Sequence, residues 1–151
     1  MRPTAEAVRD RWLGLLEARL SGARVLDLFA GSGALGIEAL SRGAASADFV
    51  EDGPASLHAL KANLAALRLK ARSRVFKRDA IPFVDSLEAG TYDLGFADPP
   101  YGSRKLDRVL DRWLEVRFCT VLSVEHATGA KLRGRGMTHR FGDTSVTFFG
   151  D

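Results

Sequence analysis

VLDLFAGSGALGIEAL, residues 25–40, passes from an apolar strand run through a glycine loop into a helical pattern. The loop GSGALG (31–36) is a literal G-x-G-x-x-G, and Glu51 lies 18 residues after Gly33. Taken alone, this spacing matches a dinucleotide-binding turn. The stretch itself argues for a different ligand. Asp27 sits inside the strand end, four residues before Gly31. A carboxylate there repels a pyrophosphate and attracts a cation. Phe29 and Ala30 also lengthen the turn before the first glycine. S-adenosylmethionine suits such a loop, because it carries an ammonium, a sulfonium and a ribose diol but no phosphate. Asp27 is then expected to counter the ammonium, and the loop Phe29, Ala30, Gly31, Ser32 and Gly33 to let the donor lie close to bare backbone.

Working outward, the chain alternates strand and helix. Residues 4–20 carry Val8, Trp12, Leu15, Leu16 and Leu20 at helical spacing after Pro3, with Thr4 as a cap. Strands are expected at 23–30, 47–51, 73–79, 91–97 and 118–125, and helices at 33–42, 54–67, 81–87 and 106–116. Residues 137–150 read as two strand runs around Gly142-Asp143, an antiparallel hairpin. This order implies an α/β fold, a doubly wound and mostly parallel sheet covered on both faces. One domain over 1–151 is expected, with residues 1–20 packing on it as an N-terminal helix.

Ligands of such sheets bind beyond the carboxyl ends of the strands. After the second strand stand Glu51 and Asp52, after the third Asp79-Ala80, and after the fourth Asp98-Pro99-Pro100-Tyr101. Glu51 is placed to accept the ribose hydroxyls. Asp79 and the Ala80 N–H are placed to take an adenine amino group. A hydride-transfer site has no use for Asp-Pro-Pro-Tyr, but methylation of an exocyclic amine has. The amine lone pair is delocalised into its ring, so acceptors must hold the N–H groups and turn the lone pair outward. Asp98 supplies a carboxylate, the Pro99 carbonyl a second acceptor, and the prolines fix that carbonyl rigidly. Tyr101 is expected to stack a flipped base with its ring face, the hydroxyl playing no part.

Composition sets the setting. Of 151 residues, 46% are apolar and 27% charged, with a net charge of +3. No apolar run approaches a membrane span, so a cytoplasmic protein with no membrane partner is expected. The single Cys119 and scattered His58, His126 and His139 make no metal site. Basic residues cluster at 69–78, 102–112 and 130–140, which points to a polyanionic partner. Arg104 and Lys105, just past Tyr101, are the first candidates for RNA contact.

The block DLFAGSGALGIEALSRGA together with DPPY, and RPT before the first helix, resembles the bacterial family that methylates a guanine N2 in 16S ribosomal RNA. DPPY alone is also shared with adenine-N6 and cytosine-N4 DNA methyltransferases. The resemblance implies a seven-stranded class I S-adenosylmethionine-dependent methyltransferase fold, Rossmann-like, with its last strand antiparallel. It also implies S-adenosylmethionine as donor and ribosomal RNA, or a small ribosomal subunit particle, as substrate. The RPT segment of such enzymes folds over the donor, which makes Arg2 and Thr4 expected contacts of RNA or donor. A monomer is expected. A DNA adenine-N6 methyltransferase and a catalytically silent RNA-binding assembly module are the alternatives on this fold.

Overall fold

The computed structural model describes residues 5–150; Arg2 and Thr4 lie outside the described residues. Helix α1 (Ala5–Leu15) and the short α2 (Glu17–Leu20) lead into β1 (Arg24–Leu28), α3 (Ala34–Ser41), β2 (Ser46–Glu51) and α4 (Pro54–Ala66). Then follow β3 (Ser73–Lys77), α5 (Ala80–Asp85), β4 (Tyr92–Ala97), α6 (Lys105–Val116), β5 (Cys119–Ala127), β6 (Met137–Phe141) and β7 (Thr144–Gly150). The seven strands form one sheet in the order β3-β2-β1-β4-β5-β7-β6. Neighbours pair parallel except for β7, which runs antiparallel to both β5 and β6. The hairpin expected at 137–150 is therefore present, with its second strand inserted next to β5.

The strand order leaves β1 in one direction toward β3 and in the other, through β4, toward β6. Chain connections part at the β1–β4 pair, and the crevice at its carboxyl end is where such sheets bind ligands. Both Asp27 and the residues after Ala97 lie at that crevice, since Asp27 pairs with Phe96 and Leu28 with Ala97.

Two apolar layers hold the sheet. One joins α1, α3 and α4 through Trp12, Leu13, Leu40, Leu60 and Phe49; the other joins α5 and α6 through Phe83, Val109, Leu110 and Trp113. The first helix buries Leu13 rather than Leu15, which is exposed. Leu16 then breaks the expected continuous helix into α1 and α2. Trp12 fixes α1 across the sheet. Its indole N–H donates to Ser123 Oγ at 2.7 Å, Ser123 donates on to the Gly95 carbonyl at 3.2 Å, and its ring meets Phe96 edge-on.

Glycine is required where α3 meets the sheet. A Cβ on Gly36 would lie 2.4 Å from the Phe49 ring and 3.1 Å from Asp27 Oδ2. A Cβ on Gly33, at φ 89°, would lie 2.4 Å from Leu60 Cδ1. Gly14 in α1 has nothing within 4 Å of such a Cβ. Gly36→Ala is therefore expected to destabilise the protein by about 1–3 kcal/mol through overpacking. Gly14→Ala should stabilise it by roughly 0.5–1 kcal/mol through reduced backbone entropy. Urea denaturation of the two variants checks both signs.

Candidate functional site

Asp27 is the deepest polar group at the crevice. It is 1% exposed, and its Oδ2 accepts the Gly36 N–H at 3.0 Å. Burial holds its pKa well above the usual carboxylate range; the Gly36 hydrogen bond opposes the shift, and the negative charges of Asp98 and Glu51 add to it. Past Asp27 the strand ends because Phe29 turns to φ 56°, a left-handed conformation that a bulky residue rarely holds. The Ala30 N–H then donates to the Val50 carbonyl at 3.1 Å, which ties the loop to β2.

Glu51 holds the loop from behind. Its Oε1 accepts the Gly31 N–H at 2.7 Å and its Oε2 accepts the Gly53 N–H at 2.8 Å. Each carboxylate oxygen keeps a second lone pair for a ligand hydroxyl. A Cβ on Gly31 would meet nothing within 4 Å, so open space lies over the loop. That space is a cavity of about 380 Å³, inside the roughly 300–1,000 Å³ typical of small-molecule sites. Loop residues 29–32 line it on one side, Arg9 and Trp12 of α1 on another, and Asp27, Asp98 and Glu125 supply carboxylates.

A second cavity of about 240 Å³ adjoins it, lined by Pro99, Pro100, Tyr101, Leu106, Leu132 and again Glu125. Asp-Pro-Pro-Tyr thus divides its residues between two spaces: Asp98 faces the first, and the prolines and Tyr101 face the second. The Pro100 carbonyl is taken by Ser103 Oγ at 2.9 Å, which closes the turn. Tyr101 is 48% exposed. Contrary to the ring-only expectation, its hydroxyl is engaged: it donates toward Glu125 Oε2 at 3.3 Å and bonds Thr144 Oγ1.

The other expected residues fall at different distances from this centre. Ser32 lines the first cavity and Gly33 lies buried beneath the loop. Asp52 is exposed past β2, and Asp79 caps α5 by accepting the Ile81 N–H at 3.0 Å, with Ala80 buried behind it. None of Glu51, Asp52, Asp79 and Ala80 lines either cavity, and Glu51 stands behind the loop through its bonds to Gly31 and Gly53. Arg104 is exposed at the start of α6. Lys105 turns inward, its ammonium 5.9 Å from the Phe29 ring centre, so it braces the cavity wall. Glu125 was not legible in sequence. It is 4% exposed, on a β5 that runs two residues past the expected end, to Ala127. Its only sequence signal is an acidic residue closing an apolar run.

The basic clusters are unequal. Arg72 donates to the Leu40 carbonyl, Arg74 pairs with buried Asp48, and Arg112 caps the Val84 and Leu87 carbonyls, so these cations hold the fold. Segment 69–78 belongs to the β3 edge, and 130–140 to the opposite, β6 edge. Arg133 bridges Asp107 and Asp111 of α6, which brings the second and third clusters together beside Tyr101. Cys119 is fully buried, and burial pushes its thiol pKa up, as befits a packing residue. Among the described residues no helix is long and apolar enough to cross a membrane, and no group of three or more His, Cys, Asp or Glu side chains is arranged to hold a metal.

The chain is similar to known proteins in sequence and fold. A family model described as "Conserved hypothetical protein 95" matches residues 1–136. YlbH of Bacillus subtilis is 38% identical over 112 residues, 72% of this chain and 60% of that protein. The Escherichia coli K12 protein named ribosomal RNA small subunit methyltransferase D is 38% identical over 112 residues, 74% of this chain and 55% of that protein. The matches therefore span little more than half the length of these curated relatives. The solved structure of yhhF from Escherichia coli superposes with TM-score 0.84 at 30% identity, covering 98% of this chain and 86% of that one. The fold is that of class I methyltransferases.

Asp27 gives a signed pH dependence. A carboxyl whose folded pKa is raised contributes stability that is complete below its unfolded pKa and is lost as pH rises through the folded value. Asp27→Asn removes that loss. The variant should gain stability relative to the parent as pH climbs from the unfolded carboxylate range, about 3.9, toward neutrality. Urea midpoints measured across that range check it; parallel curves for the two proteins contradict it.

Proposed function

This chain belongs to the family described as Conserved hypothetical protein 95, a bacterial 16S rRNA methyltransferase family by the names of its curated relatives, and from that premise we propose that it methylates the exocyclic N2 of a guanine in small-subunit ribosomal RNA, with S-adenosylmethionine as donor. The observation that carries the reading is the pair of joined cavities, one with a glycine floor and buried carboxylates, the other walled by Pro99, Pro100 and Tyr101. The first suits a cationic donor. Asp27 meets the ammonium, directly or through water, and Glu51 offers its remaining lone pairs to the ribose diol while pinning Gly31. Asp79 and the Ala80 N–H, beyond the cavity wall, remain candidates for the adenine. When bound, S-adenosylmethionine would supply an electrophilic sulfonium methyl to the amine nitrogen, whose displaced proton would pass to water.

The chain's own task is to present the amine. Asp98 accepts one amine N–H, the Pro99 carbonyl a second, and the nitrogen lone pair is turned toward the first cavity. Tyr101 stacks the base, and its hydroxyl orients Glu125. Asp98 and Glu125 bear on which base is used. Both present carboxylate oxygens, which accept hydrogen bonds. Guanine presents N2–H and N1–H donors on neighbouring atoms, and both find acceptors here. Adenine places a bare acceptor, N1, beside its amine, and that atom would face a carboxylate. This favours guanine-N2 over adenine-N6 transfer.

The test is incubation with labelled S-adenosylmethionine and unmodified small-subunit particles, followed by nucleoside analysis. N2-methylguanosine is expected; N6-methyladenosine, or no transfer at all, overturns the reading. Asp98→Asn should lower single-turnover transfer at saturating donor by about two orders of magnitude, the scale of losing one transition-state hydrogen bond. Glu125→Gln should narrow the preference for guanine over adenine in an oligonucleotide competition, because an amide can donate to adenine N1. Equal discrimination by variant and parent removes Glu125 from base recognition.

A further inference from the structure

No helix follows β5 among the described residues, and one face of the terminal hairpin is polar. Along β7, Ser145 and Thr147 alternate onto the same face as Phe149, which packs against Trp113 of α6. Beyond that aromatic contact the face carries a bonded hydroxyl array. Thr138 Oγ1 and Thr147 Oγ1 lie 2.7 Å apart, Thr147 Oγ1 lies 2.7 Å from His126 Nε2, and Thr128 Oγ1 lies 2.8 Å from Ser145 Oγ. These groups floor a groove of about 620 Å³ with Arg135 and Arg140 on its wall. The groove continues the second cavity, because His126, Ala130 and Leu132 line both.

Charge along this segment has one sign. From Thr128 to Gly142 the sequence carries Lys131, Arg133, Arg135 and Arg140 and no carboxylate. The nearest acidic side chains on α6, Asp107 and Asp111, face Arg133 at 3.8 and 3.2 Å. Arg140 is held by its Nε, which donates to the Gly142 carbonyl at 3.0 Å, and its two terminal amino groups keep a fork geometry suited to a phosphate.

We propose that this groove takes the single-stranded RNA flanking the target nucleotide, with Arg135 and Arg140 on phosphates and the hydroxyl floor beneath the sugars. The inference rests on the reading of the chain as an RNA methyltransferase and extends it to a surface outside the two cavities. Continuity with the space beside Tyr101 carries the argument: a base entering the second cavity leaves its neighbours over the groove. A floor of hydroxyls and imidazole under guanidinium walls complements a polyanion with sugar hydroxyls, and it lacks the deep aromatic pocket that anchors a protein partner.

The test is fluorescence anisotropy of a short single-stranded RNA oligonucleotide titrated with the full chain over a salt series. Loss of two phosphate contacts in Arg135→Ala/Arg140→Ala should lower the slope of log affinity against log salt by about 1.4, at roughly 0.7 per single-strand contact. Arg135→Lys/Arg140→Lys should restore most of the slope. Lys70→Ala/Lys77→Ala, at the β3 edge, should leave it unchanged. Calorimetric donor affinity equal to the parent's shows that the groove variant keeps its fold. An unchanged slope in the arginine pair, an equal fall in the lysine pair, or no RNA binding by the parent at low salt overturns the proposal. Methyl transfer to particles with an unaltered slope sinks the groove and spares the proposed function. A lowered slope without methyl transfer does the reverse.

Discussion

A single hydrogen bond, from the Gly36 N–H to the buried carboxylate of Asp27, joins the first turn of α3 to the end of β1. The contact is possible because Gly36 has no side chain and Phe49 fills the space that one would occupy. It sets where α3 begins, and so where the glycine loop stands above the sheet. Phe29 in its left-handed conformation, the Ala30 tie to β2 and the Glu51 grip on Gly31 follow from that position. The loop is held from three sides by groups that do not themselves occupy the space above it.

The same design concentrates negative charge. Asp27, Asp98 and Glu125 line one cavity, with Glu51 close behind. Burial, with the charges of Asp98 and Glu51 adding to it, works against ionisation of Asp27, whose pKa is raised. A cationic ligand reverses the balance by giving those charges a partner. The arrangement is therefore poorly suited to a pyrophosphate and well suited to a donor with an ammonium and a sulfonium, a distinction that the glycine spacing alone does not make.

Much of this was legible in sequence because it depends on local pattern. The strand-loop-helix block gave the crevice, Asp27 lines it as the sequence placed it, and Asp98 to Tyr101 stood at the exit of β4 as expected. What was not legible depends on long-range pairing. Glu125 lies within β5 only because β7 pairs with it out to Ala127, opposite Thr144. The Tyr101 hydroxyl finds Glu125 and Thr144 only once that pairing exists. Leu13 replaces Leu15 in the core of an α1 anchored by Trp12 to Ser123, a partner 111 residues away. Runs of basic residues gave no sign that Arg72, Arg74 and Arg112 serve the fold, since their acceptors are carbonyls and a carboxylate distant in sequence.

The central claim is that the buried carboxylates receive a cation, and calorimetric titration of S-adenosylmethionine in buffers of different ionisation enthalpy measures it most directly. Across the acidic-to-neutral range the account predicts binding coupled to proton release, as Asp27 gives up its proton to face the ligand's ammonium. Asp27→Asn should bind more weakly and abolish that release. Binding with no linked proton at any pH in that range, or tighter binding of NADH than of S-adenosylmethionine, would contradict the account.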